Sequence, residues 1–371
     1  MIENKPTTTA THPKPHRTWQ VTRPLGRTLM WTLVTLVVLA LSVEVIVRTP
    51  FAQERLPVPS WGMSLRKSEY KIFLLEQYAA EHNGVDCLFL GSSMVNRGMD
   101  PHAFSTTFQE ITGDPLECFN LGLNALRGSD LDLLADYLFQ KYQPRLIIYG
   151  TSLRDYKSDR EARNPVVDNP WMQYRLGDFS LQGWLADSSD AYKYWLLVNS
   201  WKGQDFPERY QFDMARKKVF RPDGFDPMQG HQDGLDITTS PDPQTEARFF
   251  EKLYPFHTDQ SYDFTGLAAF LQLCSQQGTS VLIIEMPVHA TFFDFFADDP
   301  ALYDRFVTLV GQTSEGQDIQ FWPTSKLWLV PTSGFFNRNH FNTAGAQIFS
   351  AWLGRQVGLA VENLALVLPD K

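Results

Sequence analysis

Four short stretches hold the side chains best suited to chemistry: Gly91-Ser92-Ser93, Asn120–Ala125 (NLGLNA), Gly150-Thr151-Ser152 and Asn337–Asn342 (NRNHFN). A serine hydroxyl becomes a nucleophile when a histidine takes its proton and amide N–H groups receive the charge that builds on the substrate oxygen. Ser93 and His340 are the residue types for that pairing, and the chemistry would be acyl transfer. A serine at the end of a strand is by itself ordinary turn chemistry. Four such loops in this order and context are far less common.

The elements that must position these loops read as an alternation. Apolar runs at Val85–Leu90, Leu116–Leu123, Arg145–Tyr149 and Ser280–Glu285, with a shorter one near 318–322, predict strands. Helices are predicted near 65–83, 128–143, 263–277, 299–311 and 343–356. In the second of these, Leu131, Leu134, Leu138, Phe139 and Tyr142 form a stripe that Pro144 ends. Apolar strands alternating with amphipathic helices predict an α/β domain with a mostly parallel sheet covered on both faces. Ligands of such sheets bind beyond the carboxyl ends of the strands, where all four loops would converge.

The alternation stops between 156 and 261, a stretch rich in Trp, Asp and Pro that reads as a large insert: a lid, a substrate-binding subdomain or a partner surface. Residues 1–28 read as a polar tail, 49–64 as a Pro-containing linker, 65–357 as the main domain and 358–371 as a C-terminal tail. Leu29 to Val43 is almost unbroken apolar sequence, continuing past Glu44 to Arg48, and predicts a transmembrane signal anchor over 29–48. Lys5, Lys14, Arg17, Arg23 and Arg27 precede it. The positive-inside rule therefore expects a single-pass membrane protein with a cytoplasmic N-terminus and an extracytoplasmic domain.

A net charge of −9 with no basic stripe argues against a nucleic-acid partner. The eight histidines have no metal-ligand spacing, so neither metal nor cofactor is expected. Cys87, Cys118 and Cys274 lie in apolar contexts and read as buried free thiols, though an oxidising compartment would permit a disulfide.

The four stretches together resemble the blocks of the SGNH/GDSL hydrolase superfamily, over residues 85–155 and 263–357. Leu90-Gly91-Ser92-Ser93 resembles the block that carries the nucleophile, placing Ser93 there. Asn120–Ala125 resembles the second block, implying an oxyanion amide at Ala125. Ser152 stands where the third block has Asn, and NRNHFNTAG at 337–345 resembles the last block, with His340 as base and Asn337 where Asp orients it. The resemblance implies a three-layer, flavodoxin-like sandwich and an oxyanion site of Ser93, Ala125 and Ser152. Replacing the orienting Asp by Asn costs a serine protease triad about 10⁴ in turnover. That departure implies a Ser-His dyad, help from a carboxylate such as Asp155 or Glu285, or weak activity.

With the anchor, the chain is similar to extracytoplasmic proteins of teichoic-acid D-alanylation and alginate acetylation. This implies an esterase or O-acyltransferase acting on an acylated envelope glycan or lipid-linked polymer, with a membrane-bound acyltransferase as partner. The alternative is an inactive SGNH-like domain that binds envelope polysaccharide or docks such a partner.

Overall fold

The computed structural model describes residues 23–156, 164–239, 262–297, 299–317 and 319–369. The expected tail up to residue 22, and residues 157–163 and 240–261 of the insert, lie outside them.

Five strands form one parallel sheet: β1 (Cys87–Gly91), β2 (Cys118–Gly122), β3 (Leu146–Thr151), β4 (Ser280–Glu285) and β5 (Gln320–Trp322), in the order β2-β1-β3-β4-β5. This is the flavodoxin-like order, with β1 at the switch point where the direction of winding reverses. Every residue of β1, β2 and β3 is buried, as runs such as CLFLG and LIIYGT require of strands covered on both faces.

The helices, in chain order, begin with α1 (Arg23–Val47), α2 (Pro50–Arg55), α3 (Arg66–Glu81), α4 (Ser93–Gly98), α5 (Pro101–Thr112) and α6 (Leu131–Lys141). The insert holds α7 (Pro170–Arg175), α8 (Leu181–Ser188), α9 (Asp190–Ser200) and α10 (Phe206–Lys217). Then come α11 (Thr265–Gln277), α12 (Ala301–Glu315) and α13 (Thr343–Glu362). Helix α5 packs along α13 and α6 along α11. A two-stranded ribbon, β6 (Phe335–Asn337) and β7 (His340–Phe341), precedes α13.

Three expectations change. Cys87 and Cys118 are register partners on β1 and β2 and are joined by a disulfide; Cys274 alone of the three is free, and it is buried. The stretch expected as a linker is folded: residues 57–61 are buried, and buried Glu69 accepts hydrogen bonds from the Ser60 hydroxyl and the Trp61 and Met63 amides. The last helix runs to Glu362, past the expected end at 356, because Val357 and Gly358 still pack inward.

The disulfide closes a loop between positions 31 apart, and the chain-entropy account gives such a link about 3–4 kcal/mol. Reduction under native conditions is expected to lower the urea midpoint correspondingly, read by tryptophan fluorescence. An unchanged midpoint would mean the pair contributes nothing to stability.

Helix α1 holds a 22-residue segment, Gly26–Val47, that is long and apolar enough to cross a membrane and is exposed along almost its whole length. Glu44, near its end, does not face open solvent. Its carboxylate accepts from the Ser189 hydroxyl at 2.7 Å and from the Asp190 and Ala191 amides at 3.0 Å each.

Candidate active site

The serine loop is built by close approach. Gly91 and Gly122 end β1 and β2, Gly150 is the last residue but one of β3, and the three are register partners across the sheet. Gly91 has φ +148°, which turns the chain from β1 into Ser92, and Ser93 opens α4 directly above the strand ends. A Cβ on Gly122 would lie 2.2 Å from the Asn96 amide nitrogen, so only glycine lets α4 rest on the sheet. Asn120 fastens the helix: its Nδ2 donates to the Val95 carbonyl at 2.8 Å and the Met99 carbonyl at 2.6 Å.

The histidine arrives from the other end of the chain. His340 Nε2 lies 2.8 Å from Ser93 Oγ. On its far side Nδ1 lies 3.0 Å from Asn337 Oδ1, which also accepts the His340 and Asn339 amides at 2.9 and 3.2 Å. The amide Nδ2 of Asn337 donates to Gln232 Oε1 at 3.1 Å, turning the Asn337 oxygen toward the ring. Nδ1 therefore carries the proton, and the Nε2 lone pair faces the serine hydroxyl, the tautomer a general base needs. The structure brings Ser93, Asn337 and His340 together.

The expected oxyanion residues divide. Ala125 has φ +60°, the left-handed conformation usually taken by glycine, and its amide, like that of Ser93, donates to no group among the described residues. Two unspent N–H groups on the strand-end loops are what an oxyanion needs. Ser152 is otherwise engaged. Its amide donates to Asp155 Oδ2 at 2.8 Å, and its hydroxyl, with that of Ser92, lies against the same carboxyl group.

Neither carboxylate proposed as a helper reaches the histidine. Asp155 is buried under Ser152, and burial pushes its pKa up to about 7. Glu285 receives the Ser325 hydroxyl at 2.6 Å, and burial likewise raises its pKa.

No negative charge therefore balances His340. Burial, followed by the positive charges of Arg97, Arg154 and Lys67, lowers its pKa to about 3. Arg97 stands one turn after Ser93 on α4, with its Nε buried and without a hydrogen-bond partner and its guanidinium 5.9 Å from the Phe336 ring centre. Lys67 is paired with Asp226 at 3.0 Å.

Several supporting residues have no sequence signature. Asp226, from the insert, accepts from Asn96 Nδ2 at 3.1 Å and so ties the insert to the serine helix. Lys71 on α3 is fully buried and donates to the Asn120 carbonyl at 2.8 Å, to Asn120 Oδ1 at 3.1 Å and to the Gly224 carbonyl. Burial lowers its pKa to about 7. Gln232 is also an insert residue. The only signal for any of them was the FRPDGFDP stretch at 220–227, which contains the segment Lys71 pins down.

No protein-family model and no curated protein matches the chain. Solved structures do match it, among them an aryl esterase from M. smegmatis (10% identity, 74% of this chain and 98% of that one, TM-score 0.35). Others are Axe2, an acetylxylan esterase from Geobacillus stearothermophilus (11%, 74% and 94%, TM-score 0.35), and a protein from Parabacteroides merdae described as a GDSL-like lipase (12%, 74% and 96%, TM-score 0.36). At these identities and TM-scores the matches carry no argument about this chain, and the chemistry rests on its own residues.

Proposed function

We propose that the protein is a membrane-anchored serine esterase or O-acyltransferase of the SGNH type. It would act through an acyl-enzyme on Ser93, on acyl esters of an envelope glycan or lipid-linked polymer. The observation that carries this reading is the 2.8 Å contact between Ser93 Oγ and a His340 ring whose tautomer is fixed by Asn337. In the first half-reaction His340 Nε2 takes the hydroxyl proton as Ser93 Oγ attacks the ester carbonyl. The Ser93 and Ala125 amides receive the oxyanion, and the imidazolium returns its proton to the departing alcohol. Water or a sugar hydroxyl then attacks the acyl-enzyme with the same base, giving hydrolysis or transfer.

An outward-facing compartment is supported by the apolar helix that follows a basic leader and by the Cys87–Cys118 disulfide, a bond that persists in oxidising surroundings. The acyl group, the polymer and a membrane-bound acyltransferase partner come from the resemblance alone. A second reading, an inactive SGNH-like domain that binds polysaccharide or docks a partner, is favoured by one observation: the neutral amide of Asn337 behind the histidine.

Hydrolysis of p-nitrophenyl acetate separates the two readings. Ser93→Ala and His340→Gln are each expected to lower kcat by roughly 10³-fold or more. Because His340 stays neutral down to about pH 3, kcat/KM of the wild type should hold its plateau well below pH 6. Variants as fast as the wild type would overturn the proposal.

A further inference from the structure

The insert helices carry a surface that the active site does not use. Leu181 and Trp184 on α8, Trp195 on α9, and Phe206 and Phe212 on α10 are between 43% and 62% exposed, and Phe179, just before α8, is 76% exposed. These are not side chains left over from a poor core, because the same segment buries Trp171, Met172, Ala186, Leu197 and Trp201. Basic residues stand among the exposed rings of α10, after Asp205 and Glu208 at its start: Arg209 lies 4.7 Å from the Phe212 ring centre, and Arg216 and Lys218 follow. Aromatic and aliphatic side chains interleaved with Lys and Arg on helices of this kind are the composition of an interfacial membrane surface.

The position of the surface selects its occupant. The N-terminus of α9 is locked to the last turns of α1. Glu44 accepts the Asp190 and Ala191 amides, Arg48 donates to the Ser188 carbonyl at 2.9 Å, and Arg48 also pairs with Asp190 at 3.5 Å. Helix α10 is fastened to the chain immediately after α1, through Tyr210 to the Arg55 carbonyl and Lys217 to the Gln53 and Leu56 carbonyls. Phe51 on α2, 68% exposed with the Arg55 guanidinium over its ring, continues the surface to the end of α1. The apolar surface thus begins where the apolar helix ends, and a bilayer crossed by α1 meets it first.

We propose that α8, α9 and α10 form a platform that lies in the lipid headgroup region, with Leu181, Trp184 and Trp195 inserted. It would seat the domain against the bilayer instead of leaving it to swing on a tether. This rests on α1 being a membrane anchor.

The test uses the full chain in nanodiscs of mixed phosphatidylcholine and phosphatidylglycerol, with single nitroxides at Leu181→Cys, Trp195→Cys, Val37→Cys and Gln109→Cys. Relaxation by oxygen, which partitions into lipid, is compared with relaxation by a water-soluble nickel chelate. The platform predicts that the labels at 181 and 195 favour oxygen, as the label at 37 does, while the label at exposed Gln109 favours nickel. Labels at 181 and 195 that favour nickel while 37 favours oxygen overturn the platform and leave the anchor standing. Nickel relaxation at 37 overturns the anchor reading, and the platform with it. Shielding of 181 and 195 from both agents would show a protein-covered face and overturns the platform as well.

Discussion

Asn337→Asp is expected to raise kcat on an activated acetyl ester by roughly 10²–10⁴-fold, the reverse of the loss that follows the opposite change in a serine protease triad. The geometry is already in place, because Asn337 Oδ1 accepts the Nδ1 proton at 3.0 Å. What the amide lacks is charge. When Ser93 attacks, an imidazolium must form near Arg97, Arg154 and Lys67, and no carboxylate is bonded to the ring. A carboxylate at 337 would stabilise that imidazolium and raise the His340 pKa toward the range where a base is effective near neutral pH. The acid limb of kcat/KM should therefore move upward with the gain in kcat. Gln232, whose Oε1 now accepts from Asn337 Nδ2, would have to turn its own amide to donate. Unchanged kcat and an unchanged acid limb would show that the charge behind His340 does not govern turnover.

The second large effect belongs to a residue that touches no substrate. Gly122→Ala would place a Cβ 2.2 Å from the Asn96 amide nitrogen and 2.5 Å from its Cα, backbone atoms of α4 that cannot rotate away. The helix must lift from the sheet, which separates Ser93 from His340 and strains the Asn120 bonds to the Val95 and Met99 carbonyls. Overpacking of this kind costs about 1–3 kcal/mol, and a misplacement near 1 Å costs about 10² in rate. The variant is expected to lose stability in urea and to lose most of its esterase rate while folded. A fully active Gly122→Ala protein would mean that α4 is not held against β2 as described.

The strands and the two loops that bring Ser93 and His340 into contact were legible for a shared reason. Buried parallel strands read as short apolar runs, and Ser93 and His340 sit directly beyond such runs or in the loop that opens the last helix, where local pattern carries the information. The Cys87–Cys118 pair was not legible, because it depends on the register of two strands 31 residues apart. Lys71 lay hidden in the same way. A lysine in an amphipathic helix reads as solvated, and only the arrival of the Asn120 and Gly224 carbonyls explains its burial. Gln232 and Asp226 come from an insert without periodicity, and their roles exist only once the insert folds back over α4. Ser152 was assigned from its place in a block, and the Asp155 carboxyl beneath it redirects its polar groups.

We propose that Ser93 is a nucleophile activated by His340. The most direct test is covalent capture: the full chain in detergent is treated with a fluorophosphonate, and the modified peptide is identified by mass spectrometry. A single adduct on Ser93 is expected, formed more slowly in His340→Gln and absent in a folded Ser93→Ala protein. A folded wild-type protein that takes no label, or takes it on another residue, would contradict it.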